Sequence, residues 1–231
     1  MPLVLQAAPP HAVHMSPLQI LRALDDAIMP VRCVFCGTRT HDGEGFICAE
    51  CVEDLPWNEA SPARSDSVFE RVIVPLAYEF PIDAAIKAFK FRRKLHYGPA
   101  FAQLLCGVSN ELPDDVDAVL PVPLHWRRKW WRGFNQALEI AKPLAKQLDL
   151  PVIDIARRHR ATPPQSGLSA KQRATNLRGA FRVQSTDTYE HVLIIDDVIT
   201  TGTTITQLGQ ALRRGGVTRI SAFALARSGE R

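Results

Sequence analysis

At 231 residues the chain is long enough for one full α/β domain plus a small extra module. Hydrophobic residues make up 46% and charged residues 23%, the balance of a soluble globular protein, and no apolar run approaches the roughly 20 residues of a membrane span. The formal net charge of +4 conceals an asymmetry: His125 to Arg182 alone carries +10, from 13 Lys and Arg residues against Glu139, Asp149 and Asp154, which leaves −6 elsewhere.

A positive charge focused in this way predicts an anionic partner, such as a nucleotide or a nucleic-acid strand. The N-terminal stretch MPLVLQAAPPHAVHMSP lacks a basic region before its short apolar run, which argues against a secretory signal and makes the cytoplasm the expected compartment. Residues 1–15 precede the first recognisable element and are expected to be disordered or to lie before the true start. Met15 is an alternative start, because Ser16 and Pro17 form an N-cap and first helical position. Leu18, Leu21, Leu24 and Ile28 then mark an amphipathic helix that ends at Pro30.

Cys33-x2-Cys36 and Cys48-x2-Cys51 follow, separated by eleven residues. Two such pairs can place four thiolates tetrahedrally around one zinc ion, and Gly37 permits the tight turn after the first pair. Four protein ligands leave no open position, so the site is expected to be structural, completing a module over residues 16–56. His41 is a reserve ligand only. Cys106, in the apolar run FAQLLCGV, is expected to be a small buried hydrophobe.

Residues 57–67, WNEASPARSDS, are expected to form a linker. The main domain, residues 68–227, begins with a strand from Val72 to Tyr78 and is followed by a tail over 228–231. A helix opened by Pro81 and Asp83 carries Lys87 and Lys90 on one face, either as a solvated face or as a phosphate-facing one. The next strand, 116–122, leads directly into PLHWRRKWWRGFNQ, where Arg127, Arg128, Lys129 and Arg132 are interleaved with Trp126, Trp130, Trp131 and Phe134. These aromatics suit stacking on the bases of a single strand or nucleotide, or a packed hood over the sheet edge with the cations snorkelling outward. The hood is preferred. Ala137, Ile140, Ala141, Leu144 and Leu148 mark a further helix, which Pro143 is expected to kink. After the strand PVIDIA, the polar and basic stretch up to Phe181 reads as a mobile lid or a surface loop.

VLIIDDVITTGTT, residues 192–204, is the most informative stretch. Val192 to Ile195 reads as a buried strand running into two adjacent carboxylates, Asp196 and Asp197. Thr200, Thr201, Gly202, Thr203 and Thr204 follow, and then a helix with Ile205, Leu208 and Leu212 on one face. Carboxylates at a strand end can accept hydrogen bonds from a ribose diol, and hydroxyl and N–H groups before a helix N-terminus can surround a phosphate. No Walker GK[ST] ending and no GxGxxG occurs.

This acid pair followed by TTGTT resembles the 5-phosphoribosyl-1-pyrophosphate (PRPP) signature of the type I phosphoribosyltransferases. The resemblance implies that Asp196 and Asp197 hold the ribose hydroxyls and that Thr200 to Thr204 hold the 5-phosphate. Mg2+ would bridge sugar and pyrophosphate. Arg132, Arg173 and Lys90 are the candidates for the leaving pyrophosphate, and Asp196 or Asp197 for assisting proton transfer to an incoming base.

Four features together resemble the ComF/GntX family over about Leu18 to Arg227. They are the cysteine module, PVPLHWRRKWWRGFNQ, the set Thr162, Gln165, Leu168, Arg173 and Asn176, and the final DDVITTGTT. That resemblance implies a cytoplasmic protein with a phosphoribosyltransferase-type parallel-sheet domain behind a zinc module, linked to natural transformation or use of external DNA. Its expected partners are PRPP, a nucleobase or nucleotide, single-stranded DNA through Arg127, Arg128, Lys129, Trp130 and Trp131, and other DNA-uptake proteins. It names no acceptor base. The rival expectation is a non-catalytic module that senses PRPP and handles single-stranded DNA. A transcriptional regulator finds no helix-turn-helix segment to support it.

Overall fold

A computed structural model of the chain describes residues 30–40, 45–58, 68–159, 179–184 and 188–229. The expected N-terminal helix, His41, and the segment holding Thr162, Gln165, Leu168, Arg173 and Asn176 lie outside the described residues.

A parallel sheet organises the main domain. Its strands are β1 (Arg71–Ile73), β2 (Leu76–Ala77), β3 (Ala118–Pro121), β6 (His191–Ile199) and β7 (Arg219–Arg227), in the spatial order β1-β7-β6-β3, with β2 also paired to β7. β6 and β7 run together from His191 beside Arg219 to Ile199 beside Arg227. Both are long apolar runs because both faces of the sheet are covered. Alternate residues feed two cores. Leu193, Ile195, Phe223 and Leu225 pack with α2 (Ile82–Arg92), α3 (Tyr97–Cys106) and α5 (Gln136–Gln147), whereas Val192, Ile194, Ala222 and Ala224 pack with α6 (Thr203–Arg214).

The strand expected over 72–78 is interrupted. Pro75 has no N–H for the ladder, so β1 and β2 pair with β7 as separate pieces. Asn58 serves the gap, donating from its backbone N to Pro75 O at 2.8 Å and from Nδ2 to Val74 O at 3.0 Å. The PVIDIA strand likewise reduces to a bridge between Val152 and Val119, followed by β4 (Ala156–Arg158), which pairs antiparallel with β5 (Phe181–Val183).

Helix α5 passes through Pro143 without a break. Proline leaves the carbonyl one turn earlier without its helical donor, and here that carbonyl belongs to Glu139. Burial of Ile140, Ala141, Leu144 and Ala145 around it offsets the loss.

The cysteine module is α1 (Ala49–Glu53) and the turns before it, with an antiparallel bridge between Arg32 and Arg39. It shares the main core: Cys33, Ile47, Cys48 and Leu55 pack in the same cluster as α2 and α3. Phe46 N donates to Gln103 Oε1 at 2.8 Å, and the Tyr97 hydroxyl donates to Val34 O at 3.4 Å. Trp57, expected in the linker, packs on that cluster and donates from Nε1 to Val52 O at 2.7 Å. Cys106 is half-buried, and its Sγ donates to Gln147 Oε1 at 2.6 Å. Among the described residues no helix is long and apolar enough to cross a membrane.

Candidate active-site cleft

The carboxyl ends of parallel strands are where open α/β sheets bind ligands. Here β6 opens into a cleft of about 340 Å³ lined by Asp196, Asp197, Thr200, Gly202, Thr203 and Thr204. The acids lie within the last turns of the pleat, so they face opposite sides of the sheet. Asp197 continues the row of Leu193 and Ile195 toward α2, where Lys90 Nζ meets its Oδ2 at 2.6 Å. Asp196 lies on the α6 side, and Asp197 N donates to its Oδ1 at 2.9 Å. Burial, then the charge of Asp197, pushes the Asp196 carboxyl up to about 8.

Past β6 the chain turns at Gly202, whose φ of +74° favours glycine, and enters α6 with no side chain capping its first N–H groups. An uncapped helix start carries partial positive charge and free donors, the ordinary setting for a phosphate. Thr200, Thr203 and Thr204 face the cleft. Thr201 does not: its hydroxyl pairs with that of Thr203 at 2.8 Å, and it lines a separate hollow with Phe69 and Val72.

Cations close the other side. Arg128 and Arg132 are one helical turn apart on α4 (Trp126–Arg132) and both line the cleft. The Arg132 guanidinium lies 5.3 Å from the ring centre of Phe91. Arg158 on β4 also lines the cleft, only 8% exposed and 5.7 Å over Phe181. Burial lowers its pKa to about 10, which leaves it charged at neutral pH. Lys87, by contrast, is in solvent and paired with Asp83 at 2.6 Å, as a solvated face would have it.

Arg158, Asn135 and Gln136 escaped the sequence reading. Asn135 donates from Nδ2 to Val122 O at 3.1 Å, and its Oδ1, like Gln136 Nε2 and Arg132 Nε, is buried without a protein partner. An asparagine and glutamine opening a helix after RGF were the available signal, whereas nothing separates Arg158 from its arginine neighbours in ARRHR.

The packed-hood expectation holds for Phe134, which packs on the core with its ring 5.4 Å from that of Phe89, and is overturned for the three tryptophans. Trp126, Trp130 and Trp131 are 64%, 85% and 66% exposed. On the short α4 the cleft takes Arg128 and Arg132, so the tryptophans and Arg127 are left facing outward, with Arg127 5.4 Å over Trp126.

Away from the cleft, the Sγ atoms of Cys33, Cys36, Cys48 and Cys51 all lie within 4.8 Å of one another, with Cys36 and Cys48 at 3.6 Å. A tetrahedral zinc with Zn–S bonds near 2.3 Å holds its sulfurs about 3.8 Å apart, so these residues fit the ion. Burial and the adjacent sulfurs push the Cys51 thiol above its usual range, a cost that a bound cation would offset.

A family model described as "Phosphoribosyl transferase domain" matches residues 135–231, from the asparagine at the cleft floor to the end of the chain. The DNA utilization protein YhgH of Salmonella typhi is 35% identical over 191 residues, covering 78% of each chain. Competence protein F of Haemophilus influenzae is 29% identical over 225 residues, 85% of this chain and 97% of the relative. The chain belongs to the ComF family. Orotate phosphoribosyltransferase from Aeropyrum pernix superimposes over 61% of this chain and 66% of its own, at 24% identity and a TM-score of 0.39. The match of the family model to residues 135–231 makes the parallel-sheet domain of this ComF-family chain phosphoribosyltransferase-like. The matched segment carries the acids, the threonines, Arg158 and Gln136, while Lys90, Arg128 and Arg132 reach the same cleft from outside it.

Proposed function

We propose that the cleft binds PRPP in a Mg2+-dependent manner, and that the protein transfers phosphoribosyl to an acceptor while serving in the use of incoming DNA. The observation that carries this reading is the acid pair beside the uncapped start of α6, with Lys90, Arg128, Arg132 and Arg158 around them. Asp196 and Asp197 would accept the ribose hydroxyls, and Thr200, Gly202, Thr203 and Thr204 would take the 5-phosphate, with Thr201 supporting the loop through Thr203. Arg132, Lys90 and, from outside the described residues, Arg173 would hold the pyrophosphate. In the transfer, the bond from C1 to the pyrophosphate oxygen breaks and a bond from C1 to the acceptor forms. The electron pair leaves with pyrophosphate, whose charge the guanidinium groups stabilise, and the acceptor's proton passes to Asp196, Asp197 or solvent.

The hard oxygen donors Asn135 Oδ1, Asp196 and Asp197 suit the water shell of a Mg2+ ion, which when bound would neutralise pyrophosphate charge. Zinc in the four-cysteine site would be structural, and four reduced cysteines favour the cytoplasm over an oxidising compartment.

A second reading is a PRPP-sensing module that binds single-stranded DNA. The exposed tryptophans favour it. Trp126, Arg127, Trp130 and Trp131 continue, through Arg132 over Phe91, onto the exposed Arg92, Arg93 and Lys94 at the end of α2. Aromatics spaced among cations serve as stacking platforms for a strand. The names of the relatives, a competence protein and a DNA utilization protein, support DNA as a partner, with other DNA-uptake proteins beside it. A panel of nucleobases with Mg-PRPP, assayed for pyrophosphate release alongside single-strand binding, tests both. Turnover supports the transferase; strand binding without turnover supports the module.

A further inference from the structure

Lys90 stands on the last turn of α2, and its Nζ lies 2.6 Å from Asp197 Oδ2, with the side chains 20% and 10% exposed. Phe89 beside it is fully buried and packs edge-on against Phe101, which fixes that turn of the helix. The pair is therefore held in place and largely withdrawn from water. Removing one partner from such a pair leaves the other charge poorly solvated, which costs more than the intact pair contributes.

We propose that Lys90 is a specificity-determining residue that makes the cleft select a pyrophosphorylated pentose over the plain pentose 5-phosphate, an inference that rests on the PRPP reading above. Ribose 5-phosphate brings hydroxyls that compete with Lys90 for Asp197 but no anion to receive the displaced ammonium group. PRPP brings both: the diol takes the carboxylate, and the pyrophosphate on the adjacent carbon receives Lys90. Selectivity then lies in an exchange of partners rather than in a contact with the sugar. The exchange also runs backward, because once pyrophosphate has gone Lys90 regains Asp197 and competes the phosphoribosyl product out.

The test titrates wild-type protein, Lys90→Met and Lys90→Arg with Mg-PRPP and, separately, with ribose 5-phosphate, with thermal melts to confirm folding. Lys90→Met should bind PRPP about tenfold more weakly and ribose 5-phosphate about tenfold more tightly, the opposite signs being the signature of the exchange. Lys90→Arg should keep the wild-type order. If Lys90→Met does not fold, Lys90→Gln carries the same expectation. Ribose 5-phosphate affinity that is unchanged or weakened in the uncharged variant overturns the proposal while leaving PRPP binding intact. Wild-type protein that binds no PRPP overturns the underlying reading, and the proposal with it.

Discussion

The backbone N–H of Asp197 donates to Asp196 Oδ1 across 2.9 Å, which ties the two acids of β6 together at the mouth of the cleft. Asp196, raised to about 8 by burial and then by Asp197, holds a proton in the native state that the unfolded chain releases near 3.9. The stability this contributes is full below the unfolded value and is lost as pH rises toward 8. Charge-assisted hydrogen bonds from ribose hydroxyls to both acids favour the ionised form. Binding of Mg-PRPP at pH 7 should therefore release close to one proton, measured by calorimetry in buffers of different ionisation enthalpy. Asp196→Asn should abolish that release, and proton uptake in the wild type would contradict it.

His191 has the opposite sign. It is 1% exposed at the start of β6, between Asp115 at 3.1 Å and Ser221 at 2.9 Å, and burial holds its pKa below the usual value. The contribution is present above the unfolded value near 6.5 and is lost as pH falls below it. Urea midpoints between pH 7.5 and 5.5 should fall more steeply for wild type than for His191→Gln. Parallel slopes would show that His191 does not titrate on unfolding.

The purified chain should carry one zinc, and Cys36→Ser or Cys48→Ser should release it. Zinc contributes on the order of 10 kcal/mol to such a module. Because Cys33, Ile47, Cys48 and Leu55 belong to the core of α2 and α3, chelation should also lower the melting temperature of the main domain. A main-domain melt indifferent to chelator would separate the two.

Much of the site was legible because it is local. The run from Val192 to Thr204 holds the strand, acids, loop and helix start in thirteen consecutive residues, and each step follows from residue type and spacing. The ion pair of Lys90 with Asp197 was not, since it joins a helix and a strand more than a hundred positions apart. That Thr201 lines the neighbouring hollow while Thr200, Thr203 and Thr204 line the cleft could not be read from spacing, because the direction of side chains through a tight turn depends on the φ of Gly202. Pro75 was an available signal for the break between β1 and β2, which the reading of one strand over 72–78 passed over. The hood failed at the tryptophans for another reason: an aromatic and cationic stripe looks the same in sequence whether a neighbour covers it or water does.

Exposure of the tryptophans makes a clean separation possible. Trp130→Ala and Trp131→Ala should change stability by no more than about 0.5 kcal/mol, while each should cost about 1–3 kcal/mol in single-strand affinity per stacked base. Melting and filter-binding curves on the same samples decide it, and unchanged DNA affinity would remove the stacking role. Affinity should also fall with salt, by about 0.7 log units per log unit for each phosphate contacted.

The central claim is that Asp196 and Asp197 hold the ribose of PRPP, and titration calorimetry of the Asp196→Asn, Asp197→Asn double variant with Mg-PRPP tests it most directly. Replacing two charged acceptors should cost several times the roughly 1.5–3 kcal/mol of one charge-assisted bond, which would abolish measurable binding while the far-ultraviolet circular dichroism stays that of the wild type. A folded double variant that binds Mg-PRPP as tightly as wild type would contradict the account.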